Sequence, residues 1–335
     1  MKKVSIIIPI YNAAKYLTAT LDSILSQSYK DWTCVCVNDG STDDSQNIID
    51  KFVKIDSRFQ SVRKPNSGCA DLPIAYGMEM SDTPFCMFIG HDDVLETDFL
   101  SKQLMRQQET GADVVSPTMV YCEHELEGEI WRLPCAPIGY DDVLSGKEAC
   151  VYTINGWCLT TNGMLYRTEL NDGIVRGHYM NSDEYSSRQI LYKADKVAFS
   201  RAKYFYRQHG ESISRKVSPR LFERWIVDKL IEDFVFEHYE DNKEVERAAV
   251  CARFFNMLYL LYILWKSKSL MQNAQYQWLM MGGGFAYNTL NKKRLQKYLP
   301  KHYMLFMHGY GWFKLMAIAY HKLRELRGLA PYEVK

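Results

Sequence analysis

The stretch VSIIIPIYNAAKYLTATLDSILSQSYKDWTCVCVNDGSTDD, residues 4–44, decides the fold. Its first seven residues form an unbroken apolar run rich in Ile, the pattern of a strand covered on both faces rather than one. Next, Tyr16, Leu17, Leu21, Ile24 and Leu25 recur at helical spacing. WTCVCVND, 32–39, is a second buried strand and DDSQNIIDKFVKID, 43–56, a second helix. The alternation continues through RFQSVRKPNSG (58–68), LPIAYGMEMS (72–81), FCMFIG (85–90) and TDFLSKQLMRQQET (97–110). Strand and helix alternating in this way imply an α/β fold, a mainly parallel sheet flanked by helices. Ligands of such sheets bind at the carboxyl ends of the strands.

From 111 to 180 the pattern loosens into turns, aromatics and short strands, VVSPTMVYC and MLYRT being the clearest. After Ser214 the chain reads as helical. The expected organisation is therefore a catalytic or binding domain over 1–214 and a helical region over 215–335.

Composition narrows the function. With 41 Lys and Arg against 40 Asp and Glu, the chain has no general basic field, which argues against nucleic acid as a partner. Its nine Cys include no CxxC pair, so neither a disulfide framework nor a zinc site is expected, and a reducing, cytoplasmic setting fits. The opening MKKVSIII imitates a signal peptide, but Pro9 and Asn12 interrupt its short apolar run. No run of about twenty uninterrupted apolar residues exists, so no spanning helix is expected. Charge is uneven, however: between Lys292 and Arg327 stand nine Lys and Arg and one acid, Glu325. FFNMLYLLYILW (254–265) is apolar on nearly every side, and 304–326 mixes bulky apolar residues with Lys and Arg. That suits either an interfacial helix on anionic lipid, at the inner face of a membrane, or a helical subdomain with a solvated basic face.

Acids sit where ligands are expected. VNDGS puts Asp39 at the end of one strand, and FIGHDD puts Asp92 and Asp93 at the end of another. Adjacent carboxylates are costly unless a positive group lies beside them. The opening block and the NDGSTD turn together resemble family 2 glycosyltransferases, which have the GT-A fold; the resemblance extends over roughly residues 3–214.

The resemblance implies transfer from a nucleotide-sugar donor, UDP-linked, to a hydroxyl of a glycan or lipid-linked acceptor, with inversion. It implies that Pro9, Tyr11, Asn12 and Asp39 line the donor site, Asp39 on the uracil or ribose, and that Asn66 and Gly68 match the family's NxG turn. GHDD stands in place of the family's DxD-type motif, usually of the form DSDD. Gly90 replaces the first acid and His91 the Ser, leaving Asp92 to ligate Mg²⁺ or Mn²⁺ on the donor's diphosphate. His91 is a second donor-site residue, and His209 or Arg207 could approach the metal or diphosphate. Asp93 is a candidate for the acceptor side, or for capping a helix starting near Glu96. The family's ARNxG is missing after the NxG turn, so its Arg is lost; Arg63 or Lys64 could substitute. In NSDEYSSRQ the resemblance implies a general base, Asp183 first and Glu184 second. Trp157 is a candidate stacking surface for an acceptor sugar. A sugar-nucleotide-binding protein without transfer activity is the alternative, since Gly90 and the absent ARNxG both depart from the family. A dinucleotide-dependent dehydrogenase is disfavoured because no GxGxxG follows the first strand.

Overall fold

A computed structural model describes residues 3–122, 129–133, 139–157, 160–209 and 217–329. The chain divides into two compact units, Met1–Thr153 with Trp157–Ser212, and Ile154–Gly156 with Ile213–Lys335. The boundary expected at residue 214 lies outside the described residues.

In the first unit, ten strands make one sheet: β1 Val4–Ile10, β2 Trp32–Asn38, β3 Phe59–Arg63, β4 Phe85–Phe88, β5 Val94–Leu95, β6 Val114–Cys122, β7 Glu129–Leu133, β8 Val143–Leu144, β9 Leu165–Arg167 and β10 Val197–Arg207. Their order is β3-β2-β1-β4-β9-β6-β10-β5, with β7 beside β6 and β8 beside β10. The long pairings, β1 with β2 and β4, β2 with β3, and β6 with β10, are parallel. The short strands β5, β7, β8 and β9 pair antiparallel. The sheet is thus mixed but mainly parallel, as expected. Helices α1 Leu17–Leu25, α2 Ser45–Ile55, α3 Asp71–Glu79, α4 Phe99–Thr110, α5 Gly146–Ile154 and α6 Ser182–Lys193 connect the strands.

Ile6, Ile8 and Ile10 share one face of β1 and pack with Leu17, Leu21 and Ile24 of α1 in the main core. Ile7, on the other face, is equally buried. That two-sided burial is what the unbroken apolar run dictates. The described cysteines are free, and Cys34 and Cys36 are buried in β2.

The second unit is helical: α7 Arg224–His238, α8 Lys243–Lys266, α9 Asn273–Asn288, α10 Lys292–Tyr298 and α11 Tyr310–Leu326. Asn242 caps α8 by accepting from the Val245 N–H, and Phe254 at the centre of α8 meets Phe306 and Phe313 edge-on. No run of about twenty uninterrupted apolar residues is present, but one helix among the described residues is long and apolar enough to cross a membrane by length and composition. That helix is α8, 24 residues long, with an 18-residue window of mean hydropathy 1.5. Within this unit 61% of its apolar window is buried, which makes it the core helix around which the others pack.

Candidate active site

The site is built on the carboxyl end of β1, with β2 on one side and β4 on the other. On the β2 side, the Asp39 N–H donates to the Ile10 carbonyl at 2.8 Å. On the β4 side, His91 Nδ1 donates to the Pro9 carbonyl at 3.1 Å, and the Thr20 hydroxyl donates to the His91 carbonyl at 2.8 Å. Two loops carrying acids are therefore pinned to the last residues of one strand.

Asn12 holds the next layer. It adopts a left-handed backbone (φ 48°), which Asn tolerates better than most residues. Its Oδ1 accepts from the Thr42 N–H at 2.8 Å, and its own N–H donates to Ser41 Oγ at 3.0 Å. Asp43 accepts from the Ala14 N–H at 2.9 Å, which locks the NDGSTD turn to the start of α1. Gly40 has φ 78°, and a Cβ there would lie 2.7 Å from the Asn66 nitrogen. Only glycine permits both the conformation and the approach of the NSG turn.

That approach brings Asp39 to Ser67. The buried Asp39 carboxylate accepts from the Ser67 N–H at 3.0 Å and from its hydroxyl at 2.8 Å. A carboxylate offers about four acceptor directions, so room remains for a ligand donor. Asn66 and Gly68 flank that contact, Gly68 with φ 77°. Tyr11, next to Asn12 in sequence, is 39% exposed.

The two acids of GHDD point apart. Asp92 Oδ2 lies 2.8 Å from His209 Nε2, and Arg207 Nε donates to the Asp92 carbonyl at 2.7 Å. Tyr16 completes the surroundings, its ring centre 4.6 Å from that of His209 and 4.8 Å from the Arg207 guanidinium carbon. Asp93 instead turns into the protein. It is buried, lies 2.5 Å from the Tyr204 hydroxyl and accepts from the Arg207 N–H at 3.0 Å. The expectation that Asp93 serves an acceptor is corrected, because its carboxylate is enclosed. It caps no helix either: α4 starts at Phe99, with Asp98 at its cap position. Burial and the charge of Asp92 push Asp93 up to about 8. The hydroxyl of Tyr204 also lies 2.9 Å from Asn162 Oδ1 and accepts from the Gly90 N–H. One phenolic hydrogen cannot serve both oxygens. Tyr204 donates to Asp93 Oδ2, and the Asn162 amide turned end for end donates to the Tyr204 hydroxyl, which resolves the count.

Gly90 follows from this packing. A Cβ at position 90 would lie 2.5 Å from Asp93 Oδ2 and 2.9 Å from Asp92 Oδ1. The missing first acid of the motif has no space while those two carboxylates stand as they do.

At the start of α6, Asp183 and Glu184 differ sharply. Glu184 is buried; it accepts from Asn181 Nδ2 at 3.1 Å and lies 3.8 Å from Arg188. Asp183 is partly exposed, and burial, then the charges of Asp71 and of Glu184, push it up to about 7. Burial, followed by the charges of Asp93 and Asp92 and, more weakly, Asp183, raises the Tyr206 hydroxyl, so all three acids act on one phenol.

Asp71 is a residue that the sequence did not mark. It begins α3, buried, where it accepts from Arg176 at 2.7 Å, Ser186 Oγ at 2.9 Å and the Gly177 N–H at 3.2 Å. It binds the start of α3 to that of α6 and sets the field at Asp183. The Arg176 guanidinium is committed to Asp71 and Asn171. Lys64 lies over the Tyr76 ring at 4.2 Å. Trp157 is a second correction: it is buried, edge-on to Phe199 with ring centres 5.8 Å apart, so its faces pack the core instead of receiving a sugar.

The family model for glycosyl transferase family 2 matches residues 5–173, which span β1 to just beyond β9 and hold the Asp39 and Asp92 loops. The chain belongs to glycosyl transferase family 2. It is thus a glycosyltransferase acting with a nucleotide-sugar donor. Glycosyltransferase GlyG of Streptococcus pneumoniae serotype 4 is 26% identical over 236 residues, covering 67% of this chain and 77% of that one. Glycosyltransferase GlyA of the same organism is 26% identical over 226 residues, 64% of this chain and 32% of the longer relative. The crystal structure of Staphylococcus aureus TarS 1–349 in complex with UDP-GlcNAc aligns with a TM-score of 0.70 at 17% identity, covering 98% of this chain and 92% of TarS 1–349. That likeness establishes the GT-A fold with its helical continuation.

For a family 2 enzyme the divalent cation needs ligands. Among the described residues no group of three or more His, Cys, Asp or Glu is placed to hold a metal ion. They do contain Asp92 and His209, a carboxylate and an imidazole side by side. Mg²⁺ and Mn²⁺ keep several waters and bind through one or two protein ligands plus phosphate oxygens. A two-ligand site therefore fits the chemistry, and the imidazole favours Mn²⁺.

Proposed function

We propose that this glycosyltransferase inverts the anomeric centre of a UDP-linked sugar, a hexose or N-acetylhexosamine, in a single displacement by an acceptor hydroxyl. The observation that carries the reading is Asp183, a partly exposed carboxylate held near pH 7 among other acids. A base poised near the working pH combines ionisation with useful proton affinity. Asp183 takes the acceptor proton; Glu184, paired with Arg188, holds the helix start. Asp39 accepts from the uracil or ribose, and Pro9, Tyr11, Asn12, Asn66 and Gly68 shape that end of the donor site. Asp92 and His209 would hold Mg²⁺ or Mn²⁺. The cation would supply charge neutralisation for the leaving diphosphate. His91, its Nδ1 proton on Pro9, presents Nε2 as an acceptor at the same strand end. Positioning and electrostatics then carry the rate, with no covalent enzyme intermediate.

TarS with its bound UDP-GlcNAc supports a UDP donor. We assign the donor and catalytic machinery to 1–214, the acceptor to a glycan or lipid-linked glycan, and the place of action to the cytoplasmic side of the cell membrane. The test is UDP release from a panel of UDP-sugars with and without Mn²⁺, followed by the anomeric configuration of the product. Retention of configuration would overturn the single displacement.

The second reading, a sugar-nucleotide-binding protein without transfer, is favoured by one feature: Gly90, with no space for the motif's first acid. UDP and Mn²⁺ binding by calorimetry without turnover on any donor and acceptor pair would establish it.

A further inference from the structure

The helical unit exposes apolar residues in the wrong place for a water-facing surface. α9, NAQYQWLMMGGGFAYN, carries no charged residue. Tyr276, Leu279, Gly283 and Tyr287 fill its buried face. On the opposite face Trp278, Met281 and Phe285, spaced by three and four, are 65%, 63% and 70% exposed. α11 repeats the arrangement. Phe313, Ala317 and His321 are buried, while Trp312, Leu315, Ala319, Leu323 and Leu326 form an exposed stripe of one helical face. Leu326 is 83% exposed. The helices are neighbours: the Tyr310 hydroxyl at the start of α11 donates to the Met280 carbonyl of α9 at 2.7 Å. Trp312 Nε1 donates to the carbonyl of exposed Leu305 at 2.7 Å, adding another large side chain.

Both helices are apolar on two faces, and only one face of each is used by the core. Scattered apolar residues need no explanation, but contiguous ones at helical spacing mark a binding surface. The charges around them choose the occupant. Lys292, Lys293, Lys301, Lys322 and Arg327 are exposed on this part of the chain, and Glu325 is its only acid over 292–327. A second copy meeting this face through a two-fold axis would bring the same cations against themselves. An anionic bilayer accepts both features: the apolar side chains enter the headgroup boundary and the cations meet lipid phosphates.

We infer that α9 and α11 form a docking face for an anionic phospholipid membrane, on which the enzyme lies peripherally. The inference stands on the helical unit alone and does not need the donor site. The test is co-sedimentation of the full chain with phosphatidylcholine vesicles with or without one quarter phosphatidylglycerol, at low and high salt. Wild type is expected to pellet with the anionic vesicles only, and to be released at least tenfold by 0.5 M salt. The double variant Trp278→Ser, Phe285→Ser is expected to lose at least tenfold in partitioning, with UDP release in solution and the far-UV circular dichroism spectrum unchanged. The pair Lys322→Glu, Arg327→Glu is expected to lose the anionic preference. Wild type remaining in the supernatant with anionic vesicles, or binding unaffected by both variants, overturns the proposal. So does a vesicle-indifferent dimer that Trp278→Ser, Phe285→Ser converts to monomer, since the face would then belong to a second copy.

Discussion

Replacing Asp183 by Asn should remove activity and stabilise the protein at the same time. The carboxylate is raised from 3.8 to about 7 by burial, then Asp71, then Glu184. Each pH unit is worth about 1.36 kcal/mol, so the full displacement corresponds to about 4 kcal/mol. The sign follows from linkage. Between pH 3.8 and about 7 the folded state binds the proton more tightly than the unfolded state, so stability falls as pH rises through that window and stays reduced above it. Asn carries no charge to desolvate or repel. Because Asp183 is partly exposed, solvent screening cuts the figure by roughly half, and the variant should gain about 2 kcal/mol at pH 8. The gain should shrink towards zero near pH 4. Urea unfolding at pH 8 and pH 4 reads the difference. Loss of a general base should lower turnover by about 10²–10⁴-fold while UDP affinity is kept. A variant that is less stable at pH 8, or that turns over normally while Glu184→Gln does not, refutes the assignment. Wild-type turnover should itself fall about tenfold per unit below pH 7 as the base is protonated.

The neighbours of these acids give further tests. Asp71→Asn removes the second cause of the shift and releases Arg176, and both effects should move the acidic limb of the activity profile to lower pH; an unmoved limb would mean that Asp183 does not feel Asp71. Asp92→Ala should abolish metal-dependent transfer, and His209→Ala should raise the Mn²⁺ needed for half-maximal rate about 10–100-fold, read by metal titration; wild-type behaviour in both would remove the cation site. Gly90→Asp, which restores the usual motif, should destabilise by about 2 kcal/mol or more through the contacts at 2.5 and 2.9 Å; neutral urea unfolding would show that the carboxylates rearrange cheaply. Tyr204→Phe should cost about 1–3 kcal/mol, more above pH 8 than below it. There Asp93 is ionised and has lost a donor; equal losses at pH 6 and pH 9 would contradict the raised Asp93.

What was legible in the sequence was what repeats at short range. β1 and β2 are buried on both faces, and unbroken Ile and Val runs state this directly. The turns that follow β2 and β4 carry the acids, which puts Asp39 and Asp92 at strand ends. The second half of the sheet resisted for a physical reason. β9 has three residues, too few for a period, yet it sits antiparallel between β4 and β6 and joins the two parallel parts. GHDD looked like one acidic cluster because adjacency in sequence says nothing of direction. In this turn the two side chains diverge, one to His209 and one to Tyr204, over 110 residues away in the chain.

The Asp71 network shows the same limit and what it means for catalysis. Asp71 meets Arg176 across 105 residues and Ser186 across 115. No local pattern marks an Asp that begins a helix as anything but an electrostatic convenience of its first turn. Yet that Asp, buried and committed to its own cation, still raises Asp183. Its hydrogen bonds place it, and its charge tunes the neighbour. The same economy appears at Asp93, which touches no open surface but holds the Arg207 backbone, whose side chain in turn fixes the Asp92 carbonyl. In both places a buried acid acts on a neighbouring acid that is partly exposed. A reading of motifs alone therefore singles out the partly exposed carboxylates, Asp92 and Asp183, and overlooks or misassigns the buried ones beside them.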